Sequence, residues 1–415
     1  MTKDRVILLI YFFVPINWAF HFIFKWAYIK GLLIDYLIPS VHFLDIVIAL
    51  LILYLIYRGV FLNNAWRQNK ILISIAALLF FTFFSSSFLS LYPPSSIYLL
   101  SRYTLYFIFL ILYLGSTKKY FSNKMASILV LIPLYFESAL GIVQYIKQSS
   151  IFGYIFLGET TFNPSLPGIL LDSLYGSVKV PPYGTFPHPN VLAFFLGFGV
   201  LLYLGNKKWS LKDIFAIAIP LIVLLLTQSL VSIVGLITSL VWGFLAKRIT
   251  SKRILFTTIF LAMTVLVYFS FNLKLLERIN ILSDSVERRV LLNNASIAMV
   301  KQKPLYGFGL NTFTVFLEDK IASVGLRQRF VQPVHNIYLL SASESGIISA
   351  IFLLALLFYL LFAFRLSIFA FIIFVSFFDH YLLTLPQGNA LFLLTVLLSA
   401  SRIKKDSLGA DRNNN

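Results

Sequence analysis

Two adjacent arginines, Arg288-Arg289, and one histidine, His335, lie in the longest polar stretch of a chain that is otherwise overwhelmingly apolar. Guanidinium groups hold phosphate oxygens through a planar fork of N–H donors and keep their charge at any physiological pH. An imidazole titrates near neutrality, and His335 stands where the polar stretch runs back into apolar sequence, a place suited to proton transfer. Residues 272–334 hold nine Lys/Arg against five Asp/Glu, a net +4 that includes Lys301, Lys303, Arg327 and Arg329. Apolar residues recur helically from Val286 to Met299, with Asp284 or Ser285 as N-cap and a stop at Lys301–Pro304. Arg288 and Arg289 then fall in the first turns of an amphipathic helix, whose free N–H groups add to an anion site. The plain alternatives are a solvated helix face for the arginines and an interfacial side chain for the histidine.

These residues need elements to hold them, and composition says which. Of 415 residues, 59% are apolar and 12% charged, with a mean hydropathy of +0.87. A soluble domain carries roughly 25% charged residues, so the chain reads as an all-α polytopic membrane protein. The net charge of +18 is then not a nucleic-acid signature, because the basic residues cluster in short loops. Cysteine is absent, which removes disulfides, thiolate ligands and a thiol nucleophile.

At about 20 residues per crossing, twelve spans are expected: 6–24, 37–57, 71–91, 97–114, 125–146, 189–204, 213–228, 230–246, 254–271, 346–364, 367–385 and 388–401. Lys and Arg occupy every second short loop, which puts both termini in the cytoplasm and the other loops outside. Two outward loops are long: 147–188, rich in Pro and Gly and read as irregular structure on the outer face, and 272–345, which carries the candidate chemistry between spans nine and ten. The chain is read as one membrane domain, 1–405, with a polar disordered tail, 406–415. Arg102, near the outer end of span four, either lines a cavity or snorkels to the interface. His188 and Asn190 read as structural, capping span six. Asp379-His380, near the outer end of span eleven, could face the site.

With those residues quoted, the chain resembles the O-antigen ligase and O-antigen polymerase superfamily. The segment Arg289-Val290-Leu291-Leu292-Asn293-Asn294-Ala295, with Met299, Pro304, Gly307, Gly309 and Phe313, is similar to the family's arginine-bearing helix and the Pro-Leu-x-Gly-x-Gly turn after it. His335-Asn336-Ile337-Tyr338-Leu339, with Glu344-Ser345-Gly346, resembles its His-Asn-x-Tyr-Leu segment. The likeness is specific over about residues 183–350. Leu230 stands where the family often has an arginine, Asn293 where it has an aromatic, and the adjacent arginines leave the register open.

The resemblance implies transfer of a glycan from a polyprenyl-diphosphate carrier to a hydroxyl acceptor, lipid or glycan, on the outer face of the cytoplasmic membrane. It implies no cofactor and no metal, and the early outward loops contain no Asp-x-Asp. Arg288 and Arg289 would stabilise the departing diphosphate and His335 would act as general base. Asn336 and Glu344 would orient the base or the acceptor, and Tyr338, Arg102, Arg327 and Arg329 would complete the substrate site. Asp379 and Glu344 stand in reserve as bases. A repeat-unit polymerase of the same superfamily uses the same donor and is the first alternative. A lipid-glycan transporter is the second, against which stand the dissimilar halves and the gathering of polar residues in one loop.

Overall fold

A computed structural model describes residues 3–60, 62–116, 123–166, 169–174, 177–205, 210–248, 283–321, 331–364 and 366–400. The expected ninth span, the tail and both Arg327 and Arg329 lie outside the described residues.

Helices dominate: α1 (Lys3–Phe13), α2 (Phe43–Tyr57), α3 (Leu62–Phe88), α4 (Pro93–Gly115), α5 (Asn123–Lys147), α6 (Pro189–Leu204), α7 (Leu211–Leu226), α8 (Leu230–Arg248), α9 (Ser283–Gln302), α10 (Phe313–Ile321), α11 (Ile337–Ser345), α12 (Ile347–Phe364), α13 (Ser367–Ser376), α14 (Tyr381–Thr384) and α15 (Pro386–Ala400). Among the described residues, strands occur only as three short antiparallel pairs: β1 (Ala19–His21) with β4 (Ser40–His42), β2 (Tyr28–Ile29) with β3 (Leu32–Leu33), and β5 (Asp172–Leu174) with β6 (Ser177–Lys179). Among the described residues, four helical stretches are long and apolar enough to cross a bilayer: Asn69–Phe88, Pro93–Gly115, Ser127–Lys147 and Ile347–Phe364. Five shorter apolar helices accompany them.

The short helices are short because they are interior. Helix α6 buries Phe194, Phe195 and Phe198, and α13 buries Phe369, Phe371 and Phe374, so both are apolar all round. They pack on each other and on α8, with Phe194 stacked on Phe371 at 5.1 Å. The longer α3, α4 and α12 pack together beside them, and α5 packs on α1, α6 and α7.

Two expected spans are interrupted. The first, 6–24, is helical only to Phe13. Pro15 disfavours helix at the residue before it and removes a donor, and the chain leaves extended to pair β1 with β4. The eleventh, 367–385, stops at Ser376 and resumes as the single turn of α14. At the break, Asn336 Nδ2 donates to the Phe377 carbonyl at 3.1 Å, and the His380 N–H donates to Asp379 Oδ1 at 2.8 Å. Unwound backbone between apolar helices survives where protein groups satisfy it, and those two bonds do so here.

The polar stretch after α8 folds onto the helices. Helix α9 covers the expected 285–300 and ends before Pro304. The Pro304–Gly309 turn then clamps the end of α11. Phe308 and Gly309 donate backbone bonds to the carbonyls of Ser343 and Glu344 at 3.0 and 2.9 Å, and Ile347 donates to Pro304 at 2.8 Å. Gly307, at φ +66°, packs against the Glu344 carbonyl so closely that a Cβ would collide with it.

Candidate active site

A cavity of about 420 Å³ opens among the ends of α2, α4, α6 and α11 and the break after α13. All five histidines of the chain line it: His21, His42, His188, His335 and His380. They come from five separate places in the sequence, each at an edge of an apolar run.

One end of the cavity gathers around His335, just before α11. Its ring lies edge-on to His380 with centroids 5.0 Å apart, and His380 in turn meets Tyr36 at 5.6 Å. His380 Nδ1 is 2.7 Å from the Thr384 hydroxyl. Asn190 Nδ2 donates to Asp379 Oδ2 at 3.2 Å. The residue capping α6 is His188, whose Nδ1 accepts the Asn190 N–H at 3.1 Å. That bond leaves the other ring nitrogen to carry the proton of the neutral form. Thus His188 caps α6 by accepting the Asn190 N–H, and both residues face the cavity.

Arg289, on α9, lies beside this end without lining the cavity. Its Nε is buried without a partner, and among the described residues no carboxylate lies within ion-pair distance of it. Its charge nonetheless acts on Asp379, His188, His335 and His380. Burial lowers the Arg289 pKa while Asp379 opposes the shift. Arg288, the next residue along, is exposed. Of the two arginines, Arg289 is the one turned inward.

His335 is held neutral. Burial depresses its pKa most, followed by electrostatic coupling to His380, Arg289 and His188, while a hydrogen bond with the Pro333 backbone opposes the shift. Its Nδ1 is buried with no hydrogen-bond partner, so a buried polar atom is left for a group that the protein itself does not supply. The His188 pKa is pushed down to about 4 by burial and by Arg289.

The other end of the cavity is closed on itself. Arg102 gives Nε and Nη2 to Asp45 Oδ2 at 3.2 and 3.1 Å, and Nη2 also to the Ser40 carbonyl at 2.6 Å. The His42 N–H and the Tyr106 hydroxyl complete the Asp45 carboxylate at 3.0 and 3.1 Å. Arg102 does line the cavity, but with its charge matched inside the protein.

Three further candidates sit elsewhere. Glu344 does not approach His335: its carboxylate accepts the N–H groups of Asn311 and Phe313, each at 2.9 Å, and it is not part of the cavity lining. Burial raises its pKa to about 7 against those bonds. Asn336 caps α11 through the N–H groups of Tyr338 and Leu339, both at 2.9 Å. Tyr338 packs its ring on Phe377 at 4.7 Å, beside rather than in the cavity. Asn336 and Tyr338 thus hold the break that presents Asp379 and His380, and Glu344 holds the turn before α10.

The ligand atoms of His335, Asp379 and His380 lie within 4.8 Å of one another, the kind of trio that gathers a metal ion. The field of Arg289 opposes a second cation at that point.

Residues 215–354, from α7 into α12, match the sequence model of the family described as O-antigen ligase. The match supports the O-antigen ligase superfamily. It takes in both Arg289 and His335, while His188, Asp379 and His380 come from outside the matched stretch. No curated protein matches the chain. The family and the apolar helices together indicate a membrane protein of polysaccharide biosynthesis, a glycan-transferring enzyme of ligase or polymerase type.

Proposed function

We propose that the chain transfers a glycan from a polyprenyl-diphosphate carrier to a hydroxyl acceptor, in the manner of an O-antigen ligase, with the cavity on the outer face of the cytoplasmic membrane and both termini inside. The observation that carries the reading is a buried Arg289 Nε without a partner, on a side chain whose charge acts on His335, beside the polar cavity that His335 lines. Arg289 binds the diphosphate and stabilises the charge that grows on it as the bond from the anomeric carbon to the diphosphate oxygen breaks. His335 takes the proton of the acceptor hydroxyl as its oxygen forms the new glycosidic bond.

The two roles are coupled. Without donor, the positive field around His335 weakens it as a base. The arriving diphosphate offsets that field and raises its basicity, so the base is strengthened only when a donor is in place. Asp379, fixed by Asn190 and the His380 N–H, shares the charge balance of this end. Neither role needs a metal ion.

The test is a reconstituted assay with a polyprenyl-diphosphate glycan and candidate lipid or glycan acceptors, the product read by mass, with and without EDTA. Transfer that survives chelation is expected. Loss of transfer on chelation, restored by magnesium or manganese, would give the His335–Asp379–His380 trio to a metal instead.

A further inference from the structure

The cavity's rim includes two segments that the chemistry above leaves unused: 18–24, after α1, and 151–158, after α5. Both present large apolar side chains outward. Ile155 is 90% exposed and Phe20 76%, and Trp18, Phe22, Phe24 and Phe152 are exposed as well. The segments are bonded to each other: Asn17 donates its N–H to the Leu157 carbonyl at 2.7 Å, Trp18 Nε1 donates to Ile155 at 3.2 Å, and the Ala19 N–H donates to the Tyr154 hydroxyl at 2.9 Å. Their inner sides, through Asn17, His21 and Tyr154, line the cavity.

Depth decides what lies against the outer sides. Helix α5 carries the membrane-crossing stretch Ser127–Lys147, and the loop after it turns back along it. Phe156 packs on Phe136 with ring centroids 6.1 Å apart. At about 1.5 Å per residue, Phe136 is roughly 16 Å below the Lys147 end of the helix, near mid-span. Helix α1, with 11 residues, covers only about half of a 30 Å hydrocarbon core at the same rise, so the segment following it also starts well inside.

The backbone is built for that depth. Glu159 takes the N–H groups of Ile151, Phe152 and Gly153 at 2.7, 2.6 and 2.7 Å, and Gln144 Nε2 donates to the same carboxylate at 2.7 Å. Every backbone carbonyl from Gly153 to Gly158 accepts a bond, either within the loop or from Asn17 and Trp18. A loop at the surface would leave such groups to water; one in hydrocarbon must satisfy them itself. Polar groups turned inward with apolar side chains turned outward are the reverse of an aqueous loop.

We infer that 151–158 and 18–24 form a re-entrant lip seated in the bilayer hydrocarbon, against which the prenyl tail of the lipid-linked substrate lies while its head group occupies the cavity. The tail assignment rests on the function proposed above; the seating does not.

The absence of native cysteine makes the test direct. Nitroxide labels at Ile155→Cys and Phe20→Cys, in nanodiscs, are compared with Ile351→Cys on the exposed face of α12 and Lys301→Cys at an exposed position near the end of α9. Collision with oxygen should exceed collision with a water-soluble nickel chelate at 155 and 20, as at 351. Nickel accessibility like that at 301 overturns the lip. For the tail, Ile155→Glu should raise KM at least five-fold for a long-chain polyprenyl donor, with kcat and the KM of a two-isoprene donor unchanged. Equal KM changes for both donors, or none, overturn the tail assignment. The depth comparison needs no turnover, so failure of wild-type transfer counts against the proposed function and not against the lip.

Discussion

Each end of the cavity has an arginine, histidines and an aspartate in it or beside it, yet the two are built to opposite purposes. Around Arg102, every charged group has its partner inside the protein: Asp45, the Ser40 carbonyl, the His42 N–H and the Tyr106 hydroxyl close a complete set. Around Arg289, a guanidinium nitrogen and the His335 Nδ1 are buried and unmatched. A buried polar atom without a partner is costly, and a fold tolerates it where a ligand supplies the missing contact. Residue type therefore does not distinguish a structural arginine from a functional one. The state of its partners does.

The largest effect on folding should come from the closed end. Arg102→Ala leaves Asp45 buried without its counter-charge and should cost about 3–5 kcal/mol of stability. The double variant Arg102→Met/Asp45→Leu should recover most of it, read by thermal unfolding in detergent. At the open end the same truncation should spare the fold and strike binding. Arg289→Ala should weaken donor affinity by about 10- to 100-fold, the worth of a hydrogen bond to a charged group. Arg289→Lys should recover only part, because an ammonium lacks the fork, and exposed Arg288→Ala should stay within about two-fold. Equal losses for both arginines would erase the contrast.

Glu344 gives a smaller effect. Glu344→Gln sets an amide N–H₂ against one of two backbone donors and should cost about 1–3 kcal/mol without changing donor affinity. Its folded pKa of about 7 lies above the ordinary 4.5. The folded chain thus keeps a proton that the unfolded chain has lost, and stability contributed by this group falls as pH rises from about 4.5 to about 7. The Gln variant should flatten that slope. Smallest is the pH effect on turnover. His335 has a depressed pKa and stays neutral through the ordinary imidazole range near ~6.5, so kcat/KM should hold as pH falls through it. The acid limb of kcat, measured with donor bound, should lie higher. Coincident limbs would mean that donor does not act on His335.

Much of this was legible in the sequence. The amphipathic helix carrying Arg289, the placement of His335 at a helix start and the capping of α6 by His188 all follow from local signals: apolar periodicity, a Pro stop, a cap before an apolar run. The two interrupted spans were not, because hydropathy averages over a window and does not register that Pro15, or a polar break at Asp379-His380, ends a helix early. The surroundings of Glu344 were not legible for a related reason. Helical spacing puts it two turns beyond Asn336, but the side chain is claimed by backbone N–H groups of a turn some thirty residues earlier, and no local pattern announces a long-range bond. One signal was available and unused: the five histidines are few, widely spaced and each at an edge of an apolar run, which is how distant segments assemble one polar site.

The central claim is the division of labour between Arg289 and His335, and one measurement addresses it most directly: donor affinity and single-turnover transfer for His335→Ala beside wild type in nanodiscs. Donor should bind within a few-fold of wild type, while transfer falls by about 10²–10⁴, the usual contribution of a general base. Transfer near the wild-type rate would contradict the account. So would loss of donor binding as deep as that of Arg289→Ala, which would make His335 a diphosphate ligand and move the search for a base to Asp379.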